Sequence, residues 1–192
     1  ERRSRSLRIE FIEEACDPDL TIKLQAAGLQ ETERLPVMVC MPESLREPPP
    51  VPGVEITRLG PDSSIQEALE FRNTQHFGFD PQAGLPVAIE DAAETLQRAG
   101  VDGVYLARMD GQPAAAAMFQ HPVLGLSEVN GIATLEPFRR RGIGSALTAA
   151  VTRGAFKAGA RAAFLTAADL RVAGIYLRVG YSSWGTALVY ER

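Results

Sequence analysis

The 192-residue chain is poor in the residues that bind metals or cross-link a fold: two cysteines, Cys16 and Cys40, two histidines and one tryptophan. Two cysteines cannot build a disulfide framework, and neither sits at a CxxC or Cys/His spacing, so no metal site is expected. Such scarcity fits reducing, cytoplasmic surroundings. Long apolar runs are missing too. None approaches the roughly 20 residues of a bilayer-crossing helix, so no membrane partner is expected. Nor is there an excess of positive charge. Twenty Lys and Arg against 24 Asp and Glu leave a net charge of -4, which excludes the broad basic surface of a nucleic-acid binder. Residues 1–6 carry neither an initiator methionine nor an apolar signal region and read as the interior of a longer natural chain. What remains, 45% hydrophobic and 23% charged side chains, is the composition of a globular domain with a core.

Residues 7–13 alternate with period two, which places Leu7, Ile9 and Phe11 on one strand face. A helical pattern through Leu20, Leu24 and Ala27 follows, stopped by Gly28, and residues 35–41 read as a second strand. Leu7, Ile9, Phe11, Leu24 and Val37 should be buried. Residues 47–53 then hold four prolines, which forbid helix and favour a stiff extended linker. We expect a partial βαβ unit over 1–45, a linker over 46–53 and the main domain over 54–192. In that domain a strand at 54–59 precedes a helix capped by Asp62 or Ser63, a connection over 73–84 and a helix over 89–99. Three strands follow at 104–109, 114–120 and 127–135, the first two joined by Asp110-Gly111, a strong hairpin signal. Helix 142–157, strand 162–166, a helix to 179 and strand 186–190 close the chain. The fold class is therefore mixed α/β. Gln25-Ala-Ala-Gly28-Leu before strand 36–39 also parallels Leu177-Arg-Val-Gly180-Tyr before strand 187–190, an internal similarity that any Gly-capped βαβ unit could produce.

The densest chemical signal is Leu135-Glu-Pro-Phe-Arg139-Arg140-Arg141-Gly142-Ile143-Gly144-Ser145, which joins a strand to a helix. Glycines let an anion approach the main chain, and first-turn amides have no intrahelical acceptors. With the helix dipole they form a site for a pyrophosphate, and three arginines add mobile positive charge. A Walker loop would need Lys and Ser/Thr after its last glycine, and a dinucleotide fingerprint a third glycine where Leu147 stands. Both are excluded. The plain alternative is a helix start with an exposed arginine patch.

Arg139-x-x-Gly142-x-Gly144 has the form Gln/Arg-x-x-Gly-x-Gly/Ala, motif A of the GNAT acyltransferase superfamily. Residues 130–144 resemble that family's fourth strand, proline turn and coenzyme A loop, and Tyr176-Leu-Arg-Val-Gly180-Tyr181 resembles its closing Tyr-x-x-x-Gly-Phe, with Tyr for Phe. The resemblance covers residues 54–192. It implies a mostly antiparallel sheet flanked by helices, and transfer of an acetyl group from acetyl coenzyme A to a small-molecule or peptide amine by a monomer or homodimer. Residues 1–45 would then be the tail of a second, degraded copy.

Direct attack needs a base for the ammonium proton, a donor for the oxyanion and an acid for the thiolate. The resemblance implies that main-chain groups of Ile132, Ala133 and Thr134 hold the pantetheine arm, while Arg139, Arg140, Arg141, Gly142, Ile143, Gly144 and Ser145 hold the pyrophosphate. Asp169 stands where the family commonly has an asparagine near the pantetheine. Glu128 lies six residues before Thr134, an even spacing that predicts a shared sheet face, and is the base candidate; otherwise it is a solvated strand-end carboxylate. Asn130 shares its face. Tyr176 matches the family acid, or else simply packs on the sheet. Asn73, His76, Phe77 and Phe79 are acceptor-site candidates, although a lone histidine beside aromatics, like His121, is more often packed. A coenzyme A-binding regulatory module without turnover is the competing function.

Overall fold

In the computed structural model, which describes residues 7–192, the opening alternation becomes strand β1 (Arg8–Ile12). The expectation about the chain's natural start falls on residues 1–6, outside the described residues. A 3₁₀ turn leads to helix α1 (Leu20–Ala26), which ends where Gly28 takes φ +83°. Strand β2 (Gln30–Cys40) starts before the expected Leu35, because its first residues are polar and carry no apolar periodicity. Leu24 and Val37 are buried, and Ile9 and Phe11 pack on Leu188 and Tyr190, but Leu7 is 47% exposed, lying ahead of the first strand pair.

Strand β3 (Val54–Leu59) precedes helix α2 (Ile65–Phe79), whose cap is Ser64 rather than Asp62 or Ser63. The Ser64 hydroxyl accepts the Glu67 amide (3.2 Å) and the Glu67 carboxylate accepts the Ser64 amide (2.9 Å), a reciprocal capping box. Helix α2 also runs on through residues 73–79, where a connection was expected. Its sheet-facing positions there are Thr74, Gln75 and Gly78, which are buried without being apolar. Helix α3 (Ile89–Ala99), strands β4 (Gly103–Met109), β5 (Gln112–Phe119) and β6 (Leu126–Thr134), helix α4 (Ile143–Lys157), strand β7 (Ala162–Thr166), helix α5 (Leu170–Val179) and strand β8 (Ser182–Glu191) complete the chain. No described helix is long and apolar enough to cross a membrane.

The strands form one sheet in the order β1-β8-β2-β7-β6-β5-β4-β3. Among the described strands only β6 and β7 pair in parallel, with α4 as their crossover. Alternate residues serve two cores. Phe119, Val129 and Leu165 face Ile143, Leu147 and Val151 of α4, while Val104, Ala116 and Met118 face Phe71 of α2 and Ala99 of α3.

Strand β2 lies between β7 and β8, and its register with β8 is symmetric about Leu35↔Ala187. Arg34↔Leu188 mirrors Pro36↔Thr186, Glu33↔Val189 mirrors Val37↔Gly185, and Gln30↔Glu191 mirrors Val39↔Ser182; the irregularities fall at mirrored places. Strand β1 flanks β8 as β7 flanks β2, both antiparallel. The proline segment between β2 and β3 is fastened down. Arg46 donates its amide to Val179 (2.8 Å), Glu47 pairs with Arg153, and the Asp110 amide reaches Gly53 (2.8 Å). Beneath it lies a cavity of about 470 Å³ lined by Pro48, Pro50, Tyr105 and Arg153.

Candidate active site

Parallel pairing of β6 with β7 stops at Glu128↔Phe164, after which β7 goes on pairing with β2 alone. From Asn130 to Thr134, β6 therefore has a partner on one side only. The Leu135 amide bonds to Ala114 across β5 (2.9 Å), so by antiparallel alternation the main-chain groups of Thr134 and Ile132 turn away from β5, into the gap. That is a free strand edge at the carboxyl end of two diverging parallel strands, the place where such sheets bind ligands.

A bulge breaks β6 in its middle. Gly131 takes φ +61°, and the register slips between Ala116↔Ala133 and Met118↔Asn130. Gln75 of α2 donates Nε2 to the Gly131 carbonyl (2.9 Å), and a Cβ at Gly131 would collide with it. The slip overturns one expectation. Glu128 and Asn130 face the α2 side, whereas Thr134 faces α4, with its hydroxyl near Gly144. Even spacing fails because the bulge adds a residue.

The loop after β6 leads straight into α4. Arg140 and Gly142 take φ +60° and +84°, and Gly142 stands at the helix N-cap without a side-chain cap. Val51 of the proline segment packs beside it. The amides of Ile143, Gly144 and Ser145 open the helix and have no intrahelical acceptors. Ile143 itself is buried, so only its amide can serve a ligand. Arg139 is not mobile: its Nε donates to the Thr134 carbonyl (3.0 Å) and its Nη2 to the Gly78 carbonyl (2.9 Å), fastening the loop to β6 and α2. Arg141 lies over the Phe138 ring (5.9 Å), and the exposed Arg140 is the freer charge. Gly144 could carry a Cβ without steric conflict, its nearest neighbour being Thr134 Oγ1 at 3.5 Å. Packing does not demand a glycine there, and the missing side chain leaves the first-turn amides open to a ligand. The cradle therefore fits a pyrophosphate.

Glu128 is half-buried, and burial lifts its carboxyl above the ordinary range, partly offset by a hydrogen bond from Asn130. Tyr176 is buried late in α5 beside Tyr181, with ring centroids 6.1 Å apart. Burial pushes its phenol up to about 12. Tyr181 instead bonds Thr152 Oγ1 (2.6 Å). Asp169 caps α5, accepting the Val172 amide at 2.6 Å. The acceptor candidates do not converge. Asn73 accepts the Val87 amide (2.9 Å) and, with Phe77, lines a groove of about 430 Å³ shared with Leu135 and Phe138, at the other end of β6 from Glu128. His76 Nε2 lies 3.0 Å from the Leu85 carbonyl, and Phe79 is 66% exposed. Gln75 and the Gly131 bulge were missed. An Asn-Gly pair inside a strand was the signal available for the bulge.

Residues 65–181 match the model of the acetyltransferase (GNAT) family. The chain belongs to that family. Its members are acetyltransferases that use acetyl coenzyme A as cosubstrate. A GCN5-related N-acetyltransferase from Kribbella flavida is 30% identical, with a TM-score of 0.77 over 97% of this chain and 68% of that one. A GCN5-related N-acetyltransferase from Sphaerobacter thermophilus is 18% identical (TM-score 0.66; 97% of this chain, 60% of that). A tandem GNAT protein from the clavulanic acid biosynthesis pathway is 12% identical (TM-score 0.72; 97% and 63%). This chain thus spans about two thirds of the length of these relatives. No curated protein matches it. Among the described residues no three His, Cys, Asp or Glu side chains group as a metal site would require.

Proposed function

We propose that this GNAT protein is an N-acetyltransferase that moves the acetyl group of acetyl coenzyme A to a primary amine of a small molecule or peptide, in the cytoplasm. The observation that carries this reading is the one-sided stretch of β6, which has a base candidate at one end and an anion cradle at the other. The amides of residues 143–145, with Arg140 and Arg141, would hold the pyrophosphate, and the Ile132 main chain and the Thr134 amide would pair with the pantetheine arm. The bulge supports a division of labour: cofactor on the α4 side, acceptor on the α2 side, meeting in the gap. Glu128, with its raised affinity for a proton, suits removal of one from an ammonium. The Tyr176 phenol stays protonated at neutral pH and could supply the departing thiolate, forming neutral thiol as the amide bond forms. We further read residues 1–45 as the tail of a second GNAT-like unit, with 46–53 as connection and 54–192 as the transferase domain. The mirrored β2–β8 register supports this.

The test is steady-state kinetics over a panel of amines, with coenzyme A titrations alongside. Tyr176→Phe should leave cofactor affinity nearly unchanged and lower kcat by roughly 10²-fold. The rate should rise with pH as Glu128 loses its proton, and Glu128→Gln should remove that limb. Because the Tyr176 phenol titrates only at about 12, no alkaline fall should appear by about pH 10. Both variants matching the parent would refute these roles. A parent that binds coenzyme A and acetylates no amine would be the regulatory module instead.

A further inference from the structure

Arg72 has no task in the scheme above. Its Nη1 donates to Gln75 Oε1 (3.3 Å), and Gln75 in turn holds the Gly131 carbonyl, so the guanidinium sits two hydrogen bonds from the bulge. Its Nε is sealed from solvent and has no partner, the one such side-chain atom among the described residues. Nor does any described carboxylate pair with it. The nearby acids of α2 are engaged, Glu70 with Arg108 (2.6 Å) and Glu67 with the Ser64 cap. Gln75 therefore fixes the plane through Nη1 and leaves the Nε/Nη2 edge without an acceptor, a two-pronged fork that matches a carboxylate. A desolvated cationic donor without an acceptor is costly, and an arriving anion would relieve that cost. The coenzyme's phosphates are poor candidates, because their cradle lies beyond Thr134 on the other sheet face. The Asn130 and Glu128 end of the gap lies on the same α2 side as Arg72.

We propose that Arg72 is a specificity-determining residue that binds a carboxylate of the acceptor, so that the substrate class is amino acids or related amino-carboxylates rather than simple amines. This rests on the transferase reading above. In binding, Nε and Nη2 each donate to one carboxylate oxygen, and the amine is held toward Glu128. No bond is made or broken at Arg72.

The experiment uses matched acceptors: α-, β- and γ-amino acids and the primary amide of each. The parent should show kcat/KM about 10²-fold higher for the best acid than for its amide. Arg72→Met should collapse that ratio toward one, mainly through KM, and Arg72→Lys should restore only part of it, since an ammonium lacks the fork. Melting curves and coenzyme A titrations of both variants check that the fold and the cradle survive. A parent that treats acids and amides alike, or an Arg72→Met variant that keeps the ratio, overturns the proposal. If the parent acetylates nothing, the transferase reading fails by itself. Calorimetric binding of the same pairs to the coenzyme A complex then decides for Arg72: preference for the acid supports it, and equal binding overturns it.

Discussion

Gly144 shows how a single residue can be read as functional by elimination. Its backbone is helical and its missing side chain would meet nothing closer than ordinary contact, so neither strain nor crowding explains a glycine in a helix's first turn. Gly142 is different, because φ +84° penalises any side chain whatever the space. Gly144→Ala should therefore keep or slightly raise the melting temperature, since alanine favours helix by about 0.5–1 kcal/mol. Motif A admits alanine at this position, so Gly144→Ala should also keep coenzyme A affinity, whereas Gly144→Glu, which fills the loop and adds an anion, should lower it by about 10-fold or more, as for one lost charge-assisted hydrogen bond. Calorimetry beside a melting curve checks both halves. Undiminished affinity in Gly144→Glu would mean that the anion does not lie against this turn.

Among the elements, helices and strands bounded by glycine or proline were legible in the sequence, because Gly28, Asp110-Gly111 and Gly180 take positive φ, a backbone geometry that few other residues accept. The second half of α2 was not. Its buried face uses Thr74, Gln75 and Gly78, so apolar periodicity fades where function begins. The face of Glu128 was misread for a related reason: alternation counts residues, and a bulge adds one that alternation cannot see. Motif A and the closing tyrosine-glycine signature were legible as a resemblance, whereas Arg139's two carbonyl partners and Gln75's bond to Gly131 join elements far apart in sequence. Gln75 makes the coupling testable. Gln75→Leu keeps the bulk, strands the Gly131 carbonyl and frees Arg72, so thermal unfolding should show a loss of about 1–3 kcal/mol for the unsatisfied group. Unchanged stability would mean that the bulge holds itself.

At the scale of the whole molecule, the decisive fact is where β2 lies. A chain order that ends with β7, α5 and β8 would leave β7 and β8 facing a vacancy, and the strand that fills it comes from the other end of the sequence. Val37, Met38 and Cys40 are almost fully buried there, with Met38 and Cys40 in the core shared by α4 and α5. The proline segment follows from this. It must carry the chain from the middle of the sheet to the edge strand β3, and it does so across α4, touching Gly142 beside the cradle on the way. Removing residues 1–45 should therefore do more than shorten the protein. It would strip β7 of β2 and β8 of both its neighbours, open three strand edges and expose apolar faces, conditions that favour aggregation. We expect the 46–192 chain to be recovered mostly as aggregates, and coexpression with residues 7–45 to restore a soluble complex with cooperative unfolding and coenzyme A binding. Sedimentation and calorimetry of the two preparations give the answer. A monomeric 46–192 chain that melts cooperatively and binds coenzyme A like the parent would show that the transferase half needs no borrowed strand.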